Sequence, residues 1–319
     1  MVENMGQRTG VISINRKKKY KLKRRFPFYI MALPGFIYLL VNNYIPMSGV
    51  IIAFKNIDFR LGIWDSPWVG LKNFNFLFAS KDAFIITRNT VLYNIAFFIF
   101  GTVLSIILAI LVNEVKNKFA KKAYQTIILL PFLMSWVIVS YLTFVFLSAE
   151  TGLINSSILK PLGMHTINWY QQKQYWPFII IFVNLWKTAG YSMVVYLSSI
   201  VGISQDYYEA ARIDGANKWR QIRYITLPLL KPTVITLFVL NIGQVFRSDF
   251  GLFYQLPRNS GALYSVTRTL DVYIFQALMR NNDYSMSSAA SFYQSIVGFI
   301  LIVSANAVVR KYERSSALF

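Results

Sequence analysis

Apolar positions along the chain fall into six blocks separated by short polar segments. A helix needs about 20 apolar residues to cross a bilayer. The blocks at 26–54, 84–113, 124–148, 177–201, 232–254 and 291–309 all reach about that length. They predict an all-α integral membrane bundle of six spans over 26–309, with a basic tail at 1–25 and a short tail at 310–319. Pro177 and Pro232 open two blocks, where a missing N–H costs least. Pro34, Pro46 and Pro131 lie inside blocks, as kinks that neighbouring helices tolerate. Phe74, Phe76, Leu77 and Phe78 read either as packing residues, the preferred reading, or as a short helix on the membrane plane. Six spans place both ends on one side.

Composition supports a membrane protein. Of 319 residues, 55% are hydrophobic and 14% charged, against roughly a quarter charged in soluble domains. The net charge of +20 raises nucleic acid as a partner, so the positions of the charges decide. Residues 1–25, 114–123, 202–231 and 310–319 hold nine, four, five and three Lys and Arg, 21 in all. The alternate segments 55–83, 149–176 and 255–290 hold nine between them. That split follows the positive-inside rule with both termini cytoplasmic, in a multi-pass protein of the cell membrane. The basic excess is therefore topogenic, and nucleic acid is not an expected partner. The run from Arg16 to Arg25 before the first block resembles a signal peptide, but the block is too long for a cleaved segment and reads as an uncleaved span. Its charges suit anionic lipid headgroups. Trp64, Trp68, Trp169 and Trp176 flank the blocks, as an aromatic interface belt would.

Candidate chemistry is sparse. The chain has no cysteine and one histidine, His165, so disulfides, thiolate chemistry and a histidine metal site drop out, and no metal is expected. No paired carboxylates suggest hydrolysis. Polar residues inside spans are costly and usually face a cavity or a neighbouring helix. Asn184, Lys187 and Tyr191 in the fourth block, and Asn241, Gln244 and Arg247 in the fifth, are candidates for a solute path. Lys187 has three readings: an ion pair with Asp249, a contact with another membrane subunit, or a contact with an acidic ligand.

The segment between blocks four and five, 203–228, has more structure than a simple turn needs. Ser204 can cap a helix that runs to about Asp214. Gly215 can end it in a left-handed conformation. Asn217 can cap a second helix, which Pro228 is expected to stop. Tyr207, Ala210, Ala211 and Asp214 share one face of the first helix, and its alanines permit close approach of another protein.

Glu209-Ala210-Ala211, then three residues, Gly215, nine residues, Ile225, one residue and Leu227-Pro228 resembles the EAA-x3-G-x9-I-x-LP motif of ABC importer permeases. Pro46–Lys55, Trp68–Phe74 and Leu129–Phe132 are similar to the MalF-type sugar permeases, most of all their LplB-like oligosaccharide branch. The resemblance implies a type I permease bundle of the MetI/MalF kind with a cytoplasmic coupling helix. It implies a second, MalG-type permease as heterodimer partner, two ATPase subunits, an extracytoplasmic solute-binding protein, and a sugar cargo. ATP and Mg would sit on the ATPase, because this chain contains no G-x-x-x-x-G-K-[ST] loop and is not expected to be an enzyme or to bind a cofactor. Glu209, Ala210, Ala211, Asp214, Gly215, Ile225, Leu227 and Pro228 would couple to that ATPase. Glu209 could pair with the ATPase, pair with Arg212, or cap a backbone group, while Ile225, Leu227 and Pro228 would anchor the loop to the spans. A peptide, polyamine or phosphate importer, a secondary carrier and a non-transporting scaffold are the competing readings.

Overall fold

A computed structural model describes residues 26–75 and 80–312. The basic tail, Phe76, Leu77, Phe78 and residues 313–319 lie outside that range. Five helices are long and apolar enough to cross a membrane, and a sharply bent pair makes a sixth crossing if counted as one span.

Helix α1, Phe26–Phe54, has the expected bounds, and α2, Lys81–Glu114, starts on the cap of Ser80, whose hydroxyl accepts from Ala83 N. The third block departs from expectation. It holds two helices, α3 (Lys118–Leu129) and α4 (Trp136–Leu147), and the chain bends by 96° between them. Pro131 causes a break rather than a kink. It tightens Leu130–Leu133 into a 3-10 turn, Met134 goes extended, and Ser135 restarts the helix by accepting from Ile138 N. Next comes α5, Trp176–Val201.

The second loop helix and the fifth span are one continuous helix, α7, Lys218–Ile242, so Pro228 does not stop the loop helix and Pro232 lies well inside the span. A π turn at Ile222–Thr226 sits just before Pro228. Its wider ring carries the Leu227 N–H to the Ile222 carbonyl and eases the clash between a proline ring and the carbonyl four residues back. Another π turn, Leu40–Tyr44, precedes Pro46 in α1 by the same spacing. Residues 243–249 then leave helical geometry, and a π-helical turn follows at Gly251–Gln255. The fifth block thus ends at Ile242, not 254. A short helix α8, Leu270–Asn281, leads into the last span α9, Tyr284–Tyr312, which begins earlier than expected.

The helix α5 organises the interior. Near its start, Trp176, Ile180 and Val183 pack with Tyr93, Val139, Leu252 and Phe253. Near its end, Met193, Tyr196, Leu197 and Ile200 pack with Ala109, Val112 and Leu230. Gly190 lets α5 touch the end of α3, since a Cβ there would strike the Ile128 carbonyl. Trp176 is fully buried and donates to the Trp169 carbonyl at 2.7 Å, so it belongs to this core and not to an interface belt. Trp64 and Trp68 are exposed, as a belt requires. Phe74 packs against Phe54 and Phe292, which supports its packing role.

Candidate functional site

Between its two cores α5 carries its polar residues. Asn184 and Lys187 are buried. The Lys187 Nζ donates to the Phe132 carbonyl at 2.8 Å and lies 5.5 Å and 5.1 Å from the ring centres of Phe132 and Trp136. It therefore caps the carbonyl end that the break after α3 leaves open, where a cation is favoured. No direct ion pair joins it to Asp249. The Trp136 indole stands between them and donates to the Asp249 carboxylate at 2.6 Å. Tyr191 is exposed and stacks on Phe132 with 4.8 Å between ring centres.

The unwound segment 243–249 faces this cluster. A non-helical backbone at membrane depth must find partners within the protein. Asn94 of α2 donates to the Val245 and Arg247 carbonyls, and Gln294 of α9 to Phe246 and the Asp271 carboxylate. Asp271 in turn accepts from the Ser248 backbone at 2.6 Å. The break is thus held by three other elements. Gly251 lies flush under Trp136, leaving no room for a Cβ. Gln244 and Arg247 are exposed on the segment, while Asn241 donates back to the Leu237 carbonyl of its own helix. Among the described residues, no side-chain hydrogen bond joins Asn241, Gln244 or Arg247 to the α5 set. Trp136, Phe132, Asn94 and Gln294 were not singled out from sequence. Polar residues inside apolar blocks signalled two of them.

The loop 203–228 forms as its caps require. Ser204 accepts from Asp206 N and opens α6, Gln205–Ile213. At its far end Ala216 N bonds the Ala211 carbonyl and Gly215 N bonds that of Arg212, a Schellman arrangement with Gly215 at φ +78°. Asn217 accepts from Arg220 N and starts α7. Tyr208 and Thr226 share a hydrogen bond of 3.0 Å, tying α6 to α7. Lys218 pairs with Glu114 at the end of α2, 2.7 Å away.

Glu209, Ala210, Asp214 and Gly215 are exposed on α6 and its cap, and Ala211 is half-buried. Among the described residues Glu209 forms neither an ion pair with Arg212 nor a backbone cap. Ile225 is half-buried, whereas Leu227 and Pro228 are exposed, so within this chain those two do not anchor the loop. Tyr207, Ile213 and Trp219 also present large apolar surface, with Ile213 87% exposed. A short, doubly capped helix with an unsatisfied carboxylate and bare apolar neighbours is a surface suited to a protein partner.

Comparison with known proteins agrees. Residues 101–315 match the model of the family described as binding-protein-dependent transport system inner membrane component. The chain is 38% identical over 307 residues to the polygalacturonan/rhamnogalacturonan transport system permease protein YteP of Bacillus subtilis (strain 168), covering 95% of this chain and 94% of that protein. It is 35% identical to Protein LplB of the same organism, covering 92% and 91%. Its fold is similar to a solved chain of a bacterial ABC transporter that imports the acidic polysaccharide alginate, with a TM-score of 0.85, 32% identity, and coverage of 93% and 99%. A second such structure is in complex with an alginate pentasaccharide-bound periplasmic protein, with a TM-score of 0.83. A helical membrane bundle bearing an exposed motif helix, and lacking a phosphate loop, thus finds its relatives among transporter subunits: the chain belongs to the binding-protein-dependent transport system inner membrane component family and is a permease subunit of an ABC importer.

Proposed function

We propose that the chain carries an oligosaccharide, cut from a polysaccharide, across the cell membrane, driven by a separate ATPase that docks on α6. The exposed α6 with its unpartnered Glu209 carries this reading. Ala210, Ala211 and Gly215 allow close approach, Asp214 adds a second carboxylate, and Ile225, Leu227 and Pro228 complete the face at the start of the span. The cargo is taken from relatives named for polygalacturonan, rhamnogalacturonan and alginate, so uronate oligomers head the candidates. In the assembly a second, MalG-type permease completes the path, two ATPase subunits hold ATP and Mg, and a solute-binding protein delivers sugar. Both termini face the cytoplasm. Asn184, Lys187, Tyr191, Asn241, Gln244 and Arg247 border the path, and the break at 243–249 supplies its irregular wall. ATP binding favours one of two packed arrangements of the bundle, which alternates access to that path.

The test is ATP hydrolysis by the purified assembly with its binding protein and a panel of neutral and uronate oligosaccharides. A charge-assisted contact contributes about 1.5–3 kcal/mol, so Glu209→Ala should weaken ATPase attachment by roughly ten- to a hundredfold. Sugar-stimulated turnover in wild type, lost in the variant with the ATPase released or uncoupled, supports the reading. No stimulation by any sugar sinks the cargo assignment, and an unchanged variant sinks the role of Glu209.

A further inference from the structure

A recess lies not on the solute path but beside the loop, between the ends of α2 and α5 and the underside of α6. It measures about 260 Å³ and is lined by Asn113, Glu114, Lys121, Gln205, Tyr208, Arg212 and Lys218, with Ile200 and Val201 as its apolar edge. That is slightly below the roughly 300–1,000 Å³ of small-ligand clefts, a size for a headgroup rather than a sugar chain. Lys121, Arg212 and Lys218 bring three positive charges, and Glu114 alone opposes them.

Two of these side chains are set in place by the fold. Lys218 is held 2.7 Å from Glu114, and Lys121 donates to Asn113 at 3.3 Å across the turn between α2 and α3. Asn113 N–H₂ and Gln205 N–H₂ add neutral donors, while the Tyr208 hydroxyl is shared with Thr226. Glu114 neutralises one cation, which leaves a surplus of two. Its apolar edge is bare at Val201, and Leu111, outside the lining and one turn before Glu114, is equally open, each 60% exposed. A basic pocket between transmembrane helices, opening onto acyl chains, is the setting in which anionic headgroups bind.

We propose that this recess binds the phosphate of an anionic phospholipid, with Lys121, Arg212 and Lys218 on the phosphate oxygens and an acyl chain along Val201 and Leu111. The site is separate from the solute path and from the exposed face of α6. Because Arg212 belongs to α6, the lipid joins the loop to the bilayer it moves against. The proposal rests on the coupling-loop reading only for placing the recess on the cytoplasmic face.

The experiment measures lipid retained by the purified transporter after exchange into bilayers of phosphatidylcholine mixed with phosphatidylglycerol, which requires no ATP turnover. Wild type should keep phosphatidylglycerol preferentially. The preference should fall about fivefold for each lysine lost in Lys121→Gln/Lys218→Gln, and persist in Lys121→Arg/Lys218→Arg. Lys122→Gln removes the same charge next to the recess but outside its lining, and should leave the preference intact. An equal fall in Lys122→Gln would reveal a diffuse surface field and overturn the proposal. A companion arm adds inorganic phosphate to transporter in phosphatidylcholine alone. Lysine-dependent phosphate binding without phosphatidylglycerol preference would mean that the recess takes soluble phosphate, and the lipid assignment fails.

Discussion

Gly215 separates two explanations for one motif position. Nothing lies within 4 Å of a Cβ built there, so inside this chain only its φ of +78° demands glycine. Gly215→Ala should cost about 1 kcal/mol through the left-handed backbone and lower coupled ATP hydrolysis. Gly215→Asn tolerates that conformation and should restore it. Failure of the asparagine variant would instead mean that the ATPase approaches too closely for any side chain. Tyr170 makes a different prediction. Its hydroxyl is buried with no hydrogen-bond partner among the described residues, and its ring packs on Trp176. Burial pushes its pKa up to about 12, with the Arg258 guanidinium pulling the other way. A raised tyrosine contributes stability below its unfolded value near 10 and loses it as pH climbs through 12. Removing the unpartnered buried hydroxyl in Tyr170→Phe should raise thermal stability by about 1 kcal/mol near neutrality, and the loss of a titrating group should flatten the alkaline fall. A variant melting below wild type near pH 7 would show instead that the hydroxyl has a partner.

At the scale of elements, the two broken spans meet where Trp136 lies over Gly251 with the indole on Asp249, beside the Ser140 bond to the Gln255 carbonyl. Gly251→Ala should overpack it by about 1–3 kcal/mol, and a melting temperature equal to wild type would show the contact to be loose. The same geometry explains what sequence reading reached. Long apolar runs placed α1, α2 and α5, and Ser204, Gly215 and Asn217 marked the turns of the loop, because these signals are local. The break at 243–249 is held by Asn94, Gln294 and Asp271, far away in the chain, so no window of neighbouring residues contains it. Pro228 and Pro232 misled for another reason: proline forbids a regular turn, and the π turn before Pro228 supplies an irregular one. Lys187 does not make the expected ion pair with Asp249 within this chain. Its partners are a carbonyl and two rings, and those depend on where the chain breaks.

For the whole molecule, the absence of cysteine makes orientation directly measurable. Single replacements Ser13→Cys, His165→Cys and Ser316→Cys should divide into two classes. An impermeant maleimide added outside intact cells should label only position 165, and labelling of either terminal position would reverse the topology. The continuity of α7 has a mechanical meaning. Its 25 residues run without a joint from the underside of the motif helix to the unwound segment beside Lys187. At 1.5 Å per residue that is a rod of about 37 Å, and a tilt of about ten degrees displaces the far end by roughly 6 Å. The π turn lies near the driven end, where a small yield costs little reach. A hinge placed mid-span by substitution would let the ATPase close while the pore stays still, burning fuel without moving sugar.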